Sequence, residues 1–563
     1  MTDLRRLLAD PAFDRPPNAD PAALHAHAYA ALARIRAVAG PAPDLLADRD
    51  RLRDLATWTT VRDPLLFHLS VLHYCLCLNG IARFAPDPAA ALARVGDDTG
   101  ILLMTEAGRS NSHGAIATEA HYDTATREFT LRTPTPAAVK FPTNAAPSDV
   151  PKTALVYARL VTGGTAHGVF TFALRIGGPH GTPPGLRLSP VDGSTALPVD
   201  FAAVAFDGLR LPFDAWHSDG AAIDDRGRLT DPLGTPDARL RRSMSVGVAT
   251  WHAITAAAAA AARAAATIAI RYSRTRLTAD RLSGPRPLLD YRNQHIALLT
   301  ALADACAITS LTEPGDPAPE PAGASTAWVP WSAVDPLLPL YKAVAVDTAW
   351  RAVTECREHC GALGYAATPK LLAYQSLMDA YRTAGGDNTL IRLDTARSLA
   401  AGYEAPEDDP PDEPRTAADF LALARSCERR LVATLRERLA QSRAVAEDEF
   451  GVWNGQLELA IETAAVHAER LLMERFAPEG GDLAALHGAA WARRRAASLQ
   501  RCGLAVPASA LERRAHELCD RLLPKVSSIV DGFGFEPAHL GTFLGEPDHL
   551  AAFADRYGFA DLG

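Results

Sequence analysis

Between Ile254 and Ile270 the chain is almost entirely alanine, with one charge, Arg263, inside the run. Alanine is the strongest helix former, and its methyl side chain lets neighbouring backbones approach closely. A helix this poor in polar side chains has no face to offer water, so it is expected in the middle of a bundle with other helices around it. The rest of the chain can supply that surrounding. Hydrophobic residues make up 48% and charged residues 22%, which excludes a wholly disordered polymer. At roughly 100–200 residues per domain, 563 residues imply about three or four domains.

The texture on either side of the run divides the chain. Residues 1–98 read as an N-terminal helical domain: AALHAHAYAALARIRAVAG and LLFHLSVLHYCLCLNGIARF carry apolar residues at three- and four-residue spacing. Residues 99–232 switch to a period of two. EFTLRT, ALVYARLV, HGVFTFALRI, GLRLSP and FAAVAF read as strands of a small antiparallel barrel or sandwich, with a hairpin turn at Asp123–Arg127. Residues 233–402 are helical again and hold the alanine run. YEAPEDDPPDEPRT marks an acidic, proline-rich linker at 403–416, and residues 417–563 form a last helical domain. The fold class is therefore mainly α with a central β domain.

Charge and cysteine narrow the function. Lys+Arg 57 against Asp+Glu 66 gives a net charge of -9, which disfavours a nucleic-acid binder. Eight scattered cysteines without paired CxxC units argue against a metal site and for free thiols in a reducing compartment. The N-terminal MTDLRRLLADPAFDRPPN lacks the apolar core of a secretory signal, and the C-terminal ADLG is no peroxisomal address. His68, His73 and Asn79 interrupt the apolar stretch Leu65–Phe84, which reads as a buried helix rather than a membrane span. A cytoplasmic protein is expected, and the excess of alanine and arginine is that of a GC-rich bacterial genome.

Met104-Thr-Glu-Ala-Gly-Arg-Ser-Asn-Ser-His-Gly114 comes directly after the strand Ile101–Met104. Such a polar turn at a strand end can present N–H groups and hydroxyls to a phosphate or a heteroaromatic edge. Extended to Phe141, the stretch TEAGRSNSHGAIATEAHYDTATREFTLRTPTPAAVKF resembles the central segment of the acyl-CoA oxidases, flavoproteins of the acyl-CoA dehydrogenase superfamily. HYCLCLNGIARF, FAAVAFDGLRLP, TIAIRYSRTR, CREHCGALGY and GGDNTLIRLDTAR match further family segments in the family's order. The resemblance covers roughly residues 60–405 in detail and the C-terminal domain in layout. It implies an N-terminal α domain, a β-barrel or sandwich, a helical bundle and an extra C-terminal α domain.

The resemblance also implies FAD. Met104, Thr105, Ser110 and Asn111 would lie along the isoalloxazine and ribityl chain, with Phe141 on the flavin face. Arg276, from a partner subunit, would reach the pyrophosphate. Glu358, Gly361 and Gly364 would border the adenosine half, and Asp387, Asn388 and Thr389 the other side. Contributions from two subunits imply a dimer, a homodimer or a heterodimer. Arg276 also fits an ordinary helix C-terminal cation, Gly361 and Gly364 a helix C-cap, and Glu106 a structural carboxylate.

The chain departs from the family where the chemistry is done. The base that removes the α-proton of the acyl thioester is the glutamate opening E-G-D-N-T, and here that position is Gly385. Related dehydrogenases with glycine there supply a glutamate from the helix corresponding to Arg241–Arg276. That stretch contains no acid, and Thr250 falls at or near the place. The family's tryptophan pair is Phe141-Pro142, and Trp251 stands where an arginine often holds CoA. Asp387 and His252 remain as weak candidates for the base, while Thr250, Trp251 and Gly385 are expected to line the substrate pocket.

The leading expectation is an FAD-dependent oxidoreductase that desaturates an acyl thioester and passes electrons to O2. Alternatives are a diverged flavoenzyme of specialised metabolism acting on a carrier-bound or non-CoA substrate, and a non-catalytic paralogue that partners an intact subunit. Glutamate at position 385 is expected to confer desaturation if the family geometry is kept.

Overall fold

A computed structural model describes residues 2–16, 19–191, 197–278, 284–313, 331–365 and 370–562. Helices open the chain, and aspartates start them. Asp20, Asp48 and Asp63 each accept from a backbone N–H of the first turn, ahead of Pro21–Ala39, Arg49–Arg62 and Pro64–Ser70. A carboxylate there satisfies a donor that the helix itself leaves open. The last of these helices runs on to Phe84 through a wider, π-helical stretch, Val71–Leu78.

Nine strands make the central sheet: β1 (Thr99–Leu103), β2 (Glu119–Asp123), β3 (Glu128–Arg132), β4 (Lys140–Thr143), β5 (Lys152–Thr162), β6 (Thr165–Ile176), β7 (Leu186–Pro190), β8 (Ala202–Pro212) and β9 (Trp216–His217). Their order is β4-β8-β3-β2-β5-β6-β9, with β1 beside β5 and β7 beside β8. The Asp123–Arg127 hairpin is present: Asp123 accepts from Ala125 and Thr126, and Arg127 takes a left-handed φ of 56°. The pairing is not purely antiparallel as the strand pattern predicts, because β1 and β2 both run parallel to β5. They lie end to end along one edge of β5, Leu103 opposite Val156 and Glu119 opposite Arg159, while β6 holds the other edge. Residues 104–118 are therefore an excursion between two collinear strands, and it is this excursion that carries the polar motif.

The alanine-rich helix, Gly247–Thr275, is enclosed as its composition demands. Ala256–Ala262 are at most 1% exposed, and the helices Arg49–Arg62, Arg292–Thr309 and Leu338–Glu358 pack around it. Among the described residues three helical stretches are long and apolar enough to cross a membrane: Pro64–Phe84, Pro236–Thr275 and Arg292–Thr312. Of their most apolar windows 83%, 94% and 61% is buried inside this fold.

After the helix Asn388–Gly402 the acidic segment is irregular until Thr416 caps Ala417–Arg443. It is nonetheless tied down, Asp408 pairing with Arg425 and the Tyr403 hydroxyl accepting from Arg470. The C-terminal segment returns to the bundle, where Arg271 donates to the Phe535 carbonyl and pairs with Asp531. Within the C-terminal helices Glu469 accepts from Trp491 Nε1 at 2.9 Å and from two nitrogens of Arg495 at 2.8 Å each. Burial would raise the Glu469 carboxyl, but the Arg495 guanidinium, backed by Arg351 and Arg494, brings it down to about 2. This stabilisation is complete above the ordinary carboxylate pKa and is lost as pH falls through the folded value. Glu469→Gln is expected to cost about 3 kcal/mol at pH 7, with thermal melts of the two proteins converging between about pH 4.5 and 2.

Candidate functional site

The excursion is anchored at its root by a buried ion pair. Lys140 Nζ lies 3.1 Å from Glu106 Oε1 and donates to the Met104 carbonyl at 2.9 Å, and neither charged side chain is exposed. Glu106 also accepts from Ala117 N, Thr118 N and Thr118 Oγ1 at 2.7–2.9 Å. Burial opposes ionisation of Glu106, but Lys140 and these donors hold it below the usual carboxylate range. Burial lowers the Lys140 ammonium to about 8 despite Glu106. Glu106 is thus a structural group that closes the excursion into a loop.

Above this anchor lies a cavity of about 350 Å³. Its apolar wall includes Leu72 and Leu76 from the helix that continues through the π-helical stretch, with Leu102 and Met104 from the end of β1. Thr105, Ser110 and Asn111 of the excursion, with Thr143 at the end of β4 and Asn144 after it, form a polar side. Opposite stand Thr250 and Trp251 from the first turn of the alanine-rich helix, and Tyr381, Gly385 and Gly386 from the end of Lys370–Thr383 and the loop behind it.

That loop is held from both sides. Trp251 Nε1 donates to the Gly385 carbonyl at 2.9 Å, and the Trp251 ring meets Trp331 edge-on at 5.7 Å. Lys342, fully buried, donates to the Gly386 carbonyl at 2.6 Å and to Asn388 Oδ1 at 3.0 Å, and burial lowers its ammonium to about 7. Gly385 has φ +67°, and a Cβ there would sit 2.8 Å from Ile254 Cδ1. Among the described residues no aspartate or glutamate lines the cavity. Its titratable side chains are His68, His113 and Tyr381.

Two family models match the chain, the acyl-CoA oxidase C-alpha1 domain over residues 248–400 and acyl-CoA oxidase over 417–548. The chain belongs to the acyl-CoA oxidase family. Peroxisomal acyl-coenzyme A oxidase 1 of Mus musculus is 28% identical over 316 residues, 54% of this chain and 46% of that protein. The chain spans about half the length of the curated relatives it matches. The fold extends further. Acyl-CoA oxidase 1 of Yarrowia lipolytica superposes with a TM-score of 0.80 at 17% identity, over 99% of this chain and 90% of that one. Acyl-CoA oxidase-1 of Caenorhabditis elegans, solved with FAD and ATP, superposes with 0.75 at 18% identity, over 99% and 90%.

Within this acyl-CoA oxidase fold the residues named from sequence fall into two groups. Met104, Thr105, Ser110, Asn111, Thr250, Trp251 and Gly385 all line the cavity. Phe141 does not. Its neighbour Pro142 lines the cavity, while the Phe141 N–H ties β4 to the Thr105 carbonyl at 2.9 Å. Nor is His252 at the cavity. One residue further round the helix than Trp251, its ring lies near the charges of Arg49 and Asp335, with Nε2 buried and without a partner among the described residues, and burial lowers it to about 4. Asp387 is occupied as the N-cap of Asn388–Gly402, accepting from Thr389 N and Leu390 N. These placements remove both sequence candidates for the base from the cavity wall.

Arg276, Glu358, Gly361 and Thr389 are exposed and none lines the cavity. Arg276 caps the far end of the alanine-rich helix, where its guanidinium donates to the Leu277 carbonyl. Counted from Trp251 on the cavity wall, that helix puts Arg276 about 38 Å away at ~1.5 Å per residue. Gly361, at φ +61°, and Gly364, where a Cβ would collide with the Arg357 carbonyl, close the end of Leu338–Glu358. Sequence reading missed His68, Tyr381 and Trp331. The signal for the first was a histidine interrupting an apolar run, shared with His73, and for the second its place four residues ahead of Gly385.

Proposed function

We propose that this chain is an FAD-dependent oxidoreductase that removes hydrogen from Cα and Cβ of an acyl thioester and delivers the electrons to O2. The observation that supports it most is convergence. The excursion 104–118, the start of the alanine-rich helix and the Gly385 loop, far apart in sequence, together wall one cavity with an apolar side and a polar side. This donor set suits a planar heteroaromatic ring. Thr105, Ser110, Asn111 and Thr143 would meet its polar edge, and Met104 and Leu102 its face. Bound FAD supplies a two-electron acceptor there. Leu72 and Leu76 offer the acyl chain an apolar bed, and Trp251 holds Gly385 in place behind it.

The same proposal includes a second copy of the chain, because Arg276, Glu358, Gly361 and Thr389 serve a cofactor only when brought to another subunit's cavity. It also includes a cytoplasmic setting, supported by eight cysteines none of which is in a disulfide. A second reading, a diverged flavoenzyme acting on a carrier-bound or non-CoA substrate, is favoured by the lack of any carboxylate on the cavity wall among the described residues. The purified protein is expected to be yellow, and its flavin band to bleach when an acyl-CoA is added without oxygen. A colourless protein that cannot be reconstituted with FAD overturns the proposal. A yellow protein that no acyl-CoA bleaches replaces the first reading with the second.

A further inference from the structure

Among the described residues the cavity wall carries three titratable side chains, and two of them are joined. His68 Nδ1 and the Tyr381 hydroxyl are 3.1 Å apart, with ring centroids at 5.9 Å. Tyr381 is 3% exposed, and its ring also meets Phe67 edge-on at 5.7 Å. His68 is half-buried, and its second ring nitrogen has no partner among the described residues. Tyr381 belongs to the helix that leads into Gly385, so the pair shares a wall with the position where the family resemblance places the glutamate. His113 is placed differently. It belongs to the excursion that the flavin would need, and its ring packs edge-on against Trp331 at 5.6 Å.

We propose that His68, oriented by Tyr381, is the general base of this chain, taking the α-proton of the bound thioester in place of the absent carboxylate. This inference rests on the function proposed above. In this role His68 takes the tautomer in which Nδ1–H donates to the Tyr381 oxygen and the Tyr381 O–H turns into the cavity that the ring lines, leaving the Nε2 lone pair free. The Cα–H bond of the substrate breaks and an N–H bond forms at Nε2. The electron pair stays on the substrate, spread over the thioester carbonyl. Return of a proton from Nε2 regenerates the thioester, so the step on its own exchanges hydrogen with solvent and needs no oxidant. Burial keeps the imidazole unprotonated near neutrality by lowering it to about 4. Tyr381 acts only through His68 and is a positioning residue.

The test uses the FAD-loaded protein and phenylacetyl-CoA, whose α-hydrogens are acidic and which has no β-hydrogen to lose. In D2O the wild type is expected to exchange the α-hydrogens, followed by NMR. His68→Asn and, as a second variant, His68→Gln are expected to slow exchange by ~10²-fold or more, the lower end of what a positioned base contributes. Tyr381→Phe is expected to cause a smaller loss. In 15N-histidine-labelled protein the unprotonated nitrogen of His68 should be Nε2, and Tyr381→Phe should erode that tautomer preference. Equal exchange by wild type and His68 variants, absence of exchange in the wild type, or a tautomer with the proton on Nε2 each overturns the proposal. Anaerobic bleaching of the wild type by acyl-CoA separates the two failures. If bleaching occurs and the His68 variants exchange normally, only the base assignment falls. If no acyl-CoA bleaches the flavin, the underlying function falls.

Discussion

In a His68→Asn background, Gly385→Glu is expected to restore bleaching of the flavin by acyl-CoA, raising its rate by ~10²–10⁴-fold over the single variant. The position lines the cavity and lies just beyond the helix that carries Tyr381, so a carboxylate there reaches the same space. The structure adds a cost that sequence reading does not show. Gly385 sits at φ +67°, and a Cβ would press on Ile254 Cδ1 at 2.8 Å. The left-handed backbone alone costs about 1–2 kcal/mol for an L-residue, whereas the Ile254 methyl is the free end of a side chain and can swing aside. The variant should therefore melt lower while reacting faster. Stopped-flow bleaching and thermal melts on the same preparation read both effects. A variant that binds FAD, folds and stays inert would show that the cavity has lost its fit for acyl thioesters as well as its glutamate.

Lys140→Met is expected to destabilise the protein by about 3–5 kcal/mol, because it leaves the Glu106 carboxylate buried without its cation. Glu106 would keep the Ala117 and Thr118 donors, but the Met104 carbonyl would lose the Lys140 ammonium. Since those contacts close the excursion, the variant should also release FAD more readily than the wild type. Glu106→Gln added to Lys140→Met removes the stranded charge and should recover much of the loss. Denaturant midpoints of the single and double variants measure this. A single variant within about 1 kcal/mol of wild type, the size of a surface ion pair, would mean that the excursion is held elsewhere.

Much of this architecture was legible in the residues themselves. The alanine run dictated a buried helix, and strand periodicity with the Asp123–Arg127 turn placed the β2–β3 hairpin. The parallel pairing of β1 and β2 with β5 was not legible, since strand pattern encodes which faces are buried and not which distant edge a strand joins. The cavity divided in the same way. Residues fixed by local motif, Met104, Thr105, Ser110 and Asn111, reached it. His252 failed because each residue turns ~100° around a helix, so neighbours of Thr250 and Trp251 need not share their face. Asp387 failed because an aspartate ahead of Asn388-Thr389 is first of all a helix cap. His68 and Tyr381 meet across 313 positions of sequence, a proximity that periodicity does not encode.

The π-helical stretch Val71–Leu78 fixes the chain length of its helix. On one side of it His68 faces the cavity. Beyond it Gly80 lies so close to Leu155 of β5 that a Cβ would collide with it. Such a widened turn holds one residue more than a regular helix would use. Deleting one residue within Val71–Leu78 would let the helix regularise over the same path, and His68 and Gly80 would keep their places on the cavity and the sheet. Among relatives of this chain the spacing from His68 to Gly80 is therefore expected to take two values, this one and one residue shorter, with Gly80 kept against the sheet in both.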